Sequence, residues 1–398
     1  MITRLSKFFF YLSCALLLGL ASGCSTSSEP VVSDSLLTNG DEQFLWQKAE
    51  EEQRDLESAG LVYQDENLEA YLNSVVARLL PPTAPGNIEI RVKVLKNAYL
   101  NAFAYPNGMI YIHTGLLARM DNEAQLAAVL AHEITHCTHR HALRAFRHFK
   151  DRRSFLTDVQ HTLMANKGLQ KLARNIGFTG SLAAVSGYAR ELEAEADRVG
   201  IEMMTAAGYN PKDALPLFDH MINEIELKGS EEPFFYGSRT RIRERIDNLQ
   251  NRTTDRHPRQ GSAVENSELF LAKLDLLFLD NARLDIRLGR FQAARGAVEK
   301  YLRIKPDDTR AHFLVGESYR QQGQDSDIPK ALKCYNRAIT LDPNFAAPHK
   351  AIGLIHFKKG QLALARKFFE SCLQLAPNAP DKAYIEGYLK QFTPSEEG

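Results

Sequence analysis

The sequence predicts two kinds of structure in one chain: an α+β domain, mostly helical with a small sheet, followed by an all-α solenoid. Three observations predict this. His132-Glu133-Ile134-Thr135-His136 ends an apolar helical stretch that contains Leu126, Ala127, Val129 and Leu130. A strictly alternating segment and an Asn-Gly turn precede it. In the last third of the chain, small residues, aromatics and prolines recur with a period near 34 residues. Composition agrees with this picture. A chain of 398 residues with 44% hydrophobic and 25% charged residues is globular and long enough for more than one core. Lys+Arg and Asp+Glu both number 49, so no basic excess points to nucleic acid. Five cysteines are too few for a disulfide framework.

The chain opens with an address. Arg4 and Lys7 precede the apolar run Phe8 to Leu20, which is too short to span a bilayer comfortably. Leu20-Ala21-Ser22-Gly23-Cys24 then reads as the end of a signal peptide covering residues 1–23. A cysteine after Ala-Ser-Gly resembles a bacterial lipobox, in which the thiol becomes diacylated; Ala21 stands where such motifs usually carry Leu, Val or Ile. Ser25 follows, with no Asp to retain the protein at an inner membrane. The expectation is a periplasmic protein anchored to the outer membrane through a lipid on Cys24, with residues 24–41 as a Ser-rich tether.

Residues 42–250 form the predicted α+β domain. Phe44, Leu45, Ala49 and Leu56 mark a helix over Glu42–Ser58, and a second covers Leu68–Leu80, stopped by Pro81-Pro82. Ile88 to Val94 alternates as a half-buried strand does. Phe103–Tyr105 and Met109–Ile112, joined through Pro106-Asn107-Gly108, form a hairpin. Asp121 is placed to cap a long helix running to His141, and a basic helical stretch follows from Ala142 to Lys171. A further helix covers Tyr188–Ala207 and ends at Gly208, ahead of Pro211. Residues 251–270 read as a linker, with Thr253 to Glu265 rich in polar residues, Pro and Gly.

Residues 271–392 carry about three repeats. Gly316, Tyr319, Ala331, Tyr335, Ala338 and Pro343 form one; Gly353, Ala365, Phe369, Cys372 and Pro377 form the next. Ala282, Ala294 and Pro306 mark a weaker first copy. The prolines stand 37 and 34 residues apart, which places a three-residue insertion around Asp325 to Ile328. This is the tetratricopeptide pattern: small residues let paired helices approach, and proline closes the second helix. Such repeats usually bind a protein partner.

The His-Glu-x-x-His pattern has a chemical reading. Four residues on a helix rise about 6 Å and return to nearly the same face, so His132 and His136 can share one Zn²⁺. Glu133, beside the first ligand, can take a proton from a water and pass it to a leaving amine. In Arg190-Glu191-Leu192-Glu193-Ala194-Glu195-Ala196-Asp197, Glu193 and Asp197 share a helix face, while Glu191 and Glu195 point elsewhere. Glu193 is the candidate third ligand of a His₂Glu zinc site; the alternative for this segment alone is a solvated acidic helix. Asp197 either fixes a ligand imidazole or acts on the reacting group. His139 and His141 lack the four-residue relation to both ligands and face solvent or stand behind a ligand. Cys137 packs in the core.

Together, His132 to His136, Glu193 to Asp197, Asn101-Ala102-Phe103-Ala104 and Gly108-Met109-Ile110-Tyr111 resemble the M48 zinc metallopeptidases, whose fold is zincin-like. The resemblance implies zinc on His132, His136 and Glu193, Glu133 as the catalytic glutamate, and Asp197 as a proton donor. It also implies that Met109, Ile110, Tyr111, Ile112 and His113 form an edge strand beside the cleft for extended substrate. Relatives often carry Ser-His-Pro before an Arg-Ile pair, the histidine serving as a lid over the metal. Here Ser238-Arg239-Thr240 precedes Arg245-Ile246, so a lid at Arg239 would lack an imidazole. The implied function is a zinc endopeptidase for unfolded or misassembled envelope proteins. The alternative is a tetratricopeptide scaffold for outer-membrane protein assembly, with latent or weak proteolysis.

Overall fold

The computed structural model describes residues 40–80, 88–150, 190–228, 239–254 and 266–391. The leader, Cys24 and the tether lie outside these residues. So do most of the stretch from Ala142 to Lys171 beyond residue 150 and most of the linker from Thr253 to Glu265. Among the described residues no helix is long and apolar enough to cross a membrane.

Two helices, α1 (Gly40–Ser58) and α2 (Glu66–Leu79), precede a three-stranded sheet of β1 (Arg91–Leu95), β2 (Ala102–Ala104) and β3 (Met109–His113). The strand order is β1-β3-β2. β3 pairs with β1 in parallel (Arg91 opposite Met109, Leu95 opposite His113) and with β2 antiparallel (Ala102 opposite Ile112, Ala104 opposite Ile110). The hairpin turn needs glycine: Gly108 has φ +92°, and a Cβ there would meet the Glu89 carbonyl at 2.4 Å. The expectation that Met109–His113 is an edge strand is therefore corrected. Both sides of that strand are already paired, so its backbone has no free row of N–H and C=O groups. Among the described residues no strand pairs with the outer side of β2.

Short α3 (Thr114–Arg119) leads into α4 (Glu123–Thr138), which is buried along almost its whole length. Asn122, not Asp121, caps α4: its Oδ1 accepts the Gln125 N–H at 2.9 Å. Asp121 instead pairs with Lys300, 2.9 Å away and far along the chain. α4 also stops short of His141. Arg140 takes a left-handed φ of +51°, which ends the helix. A new helix, α5 (His141–Lys150), then starts in another direction. α6 (Arg190–Ala206) packs on α4, where Gly200 comes close enough that a Cβ would stand 3.4 Å from the His132 amide. A 3₁₀ turn at Pro211–Ala214 precedes α7 (Leu215–Lys228) and α8 (Arg239–Thr254).

The rest is helical: α9 (Ser267–Lys273), α10 (Asp275–Arg287), α11 (Phe291–Ile304), α12 (Thr309–Gln322), α13 (Ile328–Leu341), α14 (Ala346–Lys358), α15 (Leu362–Leu375) and α16 (Lys382–Lys390). The three extra residues of the longer repeat form a 3₁₀ turn at Asp325–Asp327. The inner face of the sheet (Val92, Val94, Ile110, Ile112), α4 and the first repeat (Phe270, Phe278, Tyr301) belong to one continuous core. The other sheet face packs Phe103, Tyr105 and Tyr111 on α1 through Ala49 and Leu56.

Candidate metal centre

α4 and α6 bring the predicted residues together. His132 Nε2 and His136 Nε2 lie 2.9 Å apart, both imidazoles almost wholly buried. Glu193 reaches across from α6, with Oε2 3.6 Å from His132 Nε2 and Oε1 3.7 Å from His136 Nε2. A tetrahedral shell with bonds of about 2.0–2.1 Å separates its ligand atoms by roughly 3.3–3.4 Å. The three separations bracket that figure, and two neutral nitrogens with one carboxylate suit zinc, so these residues fit the metal. Glu133 belongs to the same cluster: its carboxylate and the two imidazoles offer atoms all within 4.8 Å of one another.

Glu133 points toward β2, where the Ala104 N–H donates to it. Burial pushes its carboxyl up to about 8; Glu193 adds to this, while His132, Arg245 and the Ala104 N–H oppose it. The Tyr105 N–H donates to Met109 and the His113 N–H to Asn101, so residues 101, 103 and 105 turn their backbone groups to β3. By alternation, Ala102 and Ala104 turn theirs to the outer side of β2, toward Glu133.

Asp197 stands behind His132, its Oδ1 3.1 Å from His132 Nδ1. It also pairs with Arg245 of α8, Nη2 to Oδ1 2.5 Å. Burial raises the Asp197 pKa, but Arg245 and His132 outweigh it and hold the carboxylate below its usual range. Asp197 is so placed that it can fix the His132 imidazole. For His132, burial and Arg245 push down, and Asp197 and Glu193 outweigh them, leaving its pKa above the ordinary value. Burial, together with His132 and His141, lowers His136.

Two groups at the site, Arg245 and Glu195, escaped the sequence reading, and a third, His141, was left there between facing solvent and standing behind a ligand. Arg245 served there only to align a short motif; its guanidinium reaches His132 Nδ1 at 2.8 Å. Glu195 does not point away from the chemistry altogether: Oε2 lies 3.5 Å from His141 Nε2 and 2.8 Å from Arg144 Nη1. His141 is fully buried against His136, Nδ1 to Nδ1 2.8 Å. Its side of the ligand helix could not be read from spacing, because the spacing assumed an unbroken helix. His139 is half-buried and bonds Thr138 at 3.1 Å. Cys137 is buried, its thiol 3.6 Å from the Tyr105 carbonyl. Arg239 opens α8, and its side chain lies outside the described residues.

The described residues form a helical domain with a small sheet and a buried His-Glu-x-x-His cluster, followed by helical repeats. The family model for peptidase family M48 matches residues 64–259. Tetratricopeptide repeat models match residues 279–327, 324–360 and 351–379. The chain therefore carries a peptidase family M48 domain and tetratricopeptide repeats. Among its relatives, the beta-barrel assembly-enhancing protease of Escherichia coli (strain K12) is 28% identical over 302 residues, covering 74% of this chain and 58% of the relative. The protein of the same name from Yersinia pestis is 29% identical over 226 residues, 55% of this chain and 45% of the relative. The mitochondrial metalloendopeptidase OMA1 of Schizosaccharomyces pombe is 26% identical over 152 residues, 38% of this chain and 43% of the relative. The chain thus spans about half the length of the curated relatives it matches.

Proposed function

We propose that the chain is a zinc endopeptidase that cleaves unfolded or misassembled proteins of the bacterial envelope. One observation carries the reading: two buried imidazole nitrogens 2.9 Å apart, bridged by Glu193, with Glu133 between them and the outer side of β2. His132, His136 and Glu193 would hold the ion. The chemistry such a centre supplies when loaded is polarisation of the scissile carbonyl and a lower pKa for water.

The chain's own residues do the rest. An extended substrate pairs with the outward backbone groups of β2, which recognises strand geometry and tolerates most side chains. Glu133 takes the proton of the attacking water and delivers it to the departing amine; its carboxylate stands beside both imidazoles, where that water would lie. Asp197, locked by Arg245, keeps His132 turned to the metal. With arginine at position 239, the histidine-type lid of relatives would be absent or altered here. The repeats receive a protein partner; a hollow of about 190 Å³ between α12, α14 and α16, edged by Phe313, Leu354 and Tyr384, supports this role. Lipidation of Cys24 would keep the enzyme at the outer membrane.

The test compares the purified chain with Glu133→Gln, measuring bound zinc and cleavage of an unfolded protein in one preparation. We expect one zinc in both and a loss of about 10²–10⁴-fold in cleavage for the variant. Zinc in both with cleavage in neither would favour a scaffold. Zinc in neither would remove the site assignment.

A further inference from the structure

We propose that His141, backed by Glu195 and Arg144, fixes the orientation and tautomer of His136, as Asp197 and Arg245 do for His132. The inference rests on reading His132, His136 and Glu193 as the zinc ligands.

A ligand imidazole that offers Nε2 to a metal must carry its proton on Nδ1, and that N–H needs an acceptor. Behind His132 the carboxylate that can accept is Asp197 at 3.1 Å, and Arg245, whose Nη2 pairs with that carboxylate, also stands 2.8 Å from the same ring nitrogen. Behind His136 no carboxylate of α6 reaches Nδ1 directly. The atom at 2.8 Å is His141 Nδ1. Two ring nitrogens at that distance share one proton: two protons would clash, and none would leave two lone pairs opposed. If His136 donates, His141 is bare at Nδ1 and carries its proton on Nε2. There it faces Glu195 Oε2 at 3.5 Å, and Arg144 holds the same oxygen at 2.8 Å. Glu195, at 3.5 Å too far for a good hydrogen bond, places negative charge beside that proton, and Arg144 holds the carboxylate there.

The backbone is built for this contact. On an unbroken helix, five residues turn about 500°, which would leave His141 about 140° around the axis from His136. The left-handed Arg140 breaks the helix and folds His141 back over its last turn. A left-handed arginine is a costly conformation for a residue with a Cβ. The Arg140 side chain is tied down by Glu42 of α1, Nε to Oε1 2.7 Å. Ring centroids of His136 and His141 stand 4.8 Å apart, edge to face.

The experiment measures the zinc dissociation constant of the purified chain by competition with a chromogenic chelator, for the parent, His141→Leu, His141→Asn and Glu195→Gln. Leu fills the space but accepts no proton. Asn is smaller but sets a carbonyl oxygen near the place of Nδ1. We expect His141→Leu to weaken zinc by about 10–100-fold, and His141→Asn to recover most of it. Glu195→Gln, which should disturb the fold least, is expected to weaken zinc severalfold. A purely packing role predicts the reverse ranking, with Leu closer to the parent than Asn; that ranking, or a Leu variant within twofold of the parent and an unaffected Glu195→Gln, overturns the proposal. A parent chain that holds no zinc overturns the ligand assignment as well, which separates the two failures.

Discussion

The second and third repeats bring their helix pairs together through a glycine under an aromatic ring at equivalent places. Gly316 of α12 lies under the Tyr335 ring of α13, and Gly353 of α14 lies under the Phe369 ring of α15. The first repeat is held differently, because it meets the peptidase half as well as its neighbour. Arg119 at the end of α3 donates to Asp285 of α10 at 2.9 and 3.2 Å, and to Glu224 of α7 at 2.8 and 3.0 Å. Lys300 of α11 donates to the carbonyls of Ala118, Arg119 and Met120 at 2.8–3.2 Å. Asn266 reaches Glu123, the first residue of the ligand helix, which Tyr71 and Tyr209 also bind. Repeated surfaces can be joined by one apolar fit used twice. A junction between unlike surfaces is fixed by buried charge, which tolerates one register and penalises the others.

Breaking that junction should produce the largest change in stability. Arg119→Met would remove the guanidinium that bridges the fully buried Asp285 and the partly buried Glu224. Asp285 already has a raised pKa from burial, which Arg119 opposes. Removing one partner of such a group costs about 3–5 kcal/mol. Urea unfolding of the full chain measures it. Replacing the whole group (Arg119→Met with Glu224→Gln and Asp285→Leu) should recover most of the loss, since no charge is then stranded. A loss below about 1 kcal/mol for the single variant would mean that the apolar core alone joins the halves.

The peptidase half also buries titratable groups, so acid should act on it first. His113 is fully buried on β3, and burial pushes its imidazole down to about 4 from an ordinary 6.5. Between these values the unfolded chain binds the proton and the folded one does not. Stability from this group is therefore present above pH 6.5 and lost as pH falls toward 4, about 3 kcal/mol in all. His113→Phe, which keeps a flat ring against Phe103, should flatten the melting temperature over that window. A slope equal to the parent's would assign the acid sensitivity to other groups.

What the sequence made legible was local. The paired histidines of His-Glu-x-x-His, the hairpin, the helix that carries Glu193 and Asp197, and the repeats all follow from spacings within one or two elements, and the insertion at Asp325–Asp327 was visible as a longer interval between prolines. What it hid was set by distant partners. β3 became central because β1 pairs with it in parallel across the intervening β2 segment, which no alternation pattern announces. Asp121 lost the cap to Asn122 while pairing with Lys300. His141 joined the site through one left-handed residue, and Arg245 through a helix more than a hundred residues after His132. Local periodicity cannot encode such contacts, and the site was only half visible for that reason.

The smallest expected effects test whether shape is what holds the later repeats. A Cβ on Gly316 would stand 2.5 Å from the Tyr335 ring, inside contact distance. Tyr335 is fully buried and its hydroxyl bonds Glu317 at 2.7 Å, so the ring has little freedom to retreat. Gly316→Ala should cost about 1–3 kcal/mol, as overpacking does. Gly296 is the control: it lies inside α11, and a Cβ there meets nothing within 4 Å. The same substitution at Gly296 relieves the entropy cost of glycine in a helix and should stabilise by about 0.5–1 kcal/mol. Thermal or urea unfolding reads both, and opposite signs from one chemical change identify packing as the cause. If both variants move the same way, helix propensity rather than close helix contact governs the repeats, and the contrast with the charged junction loses its physical basis.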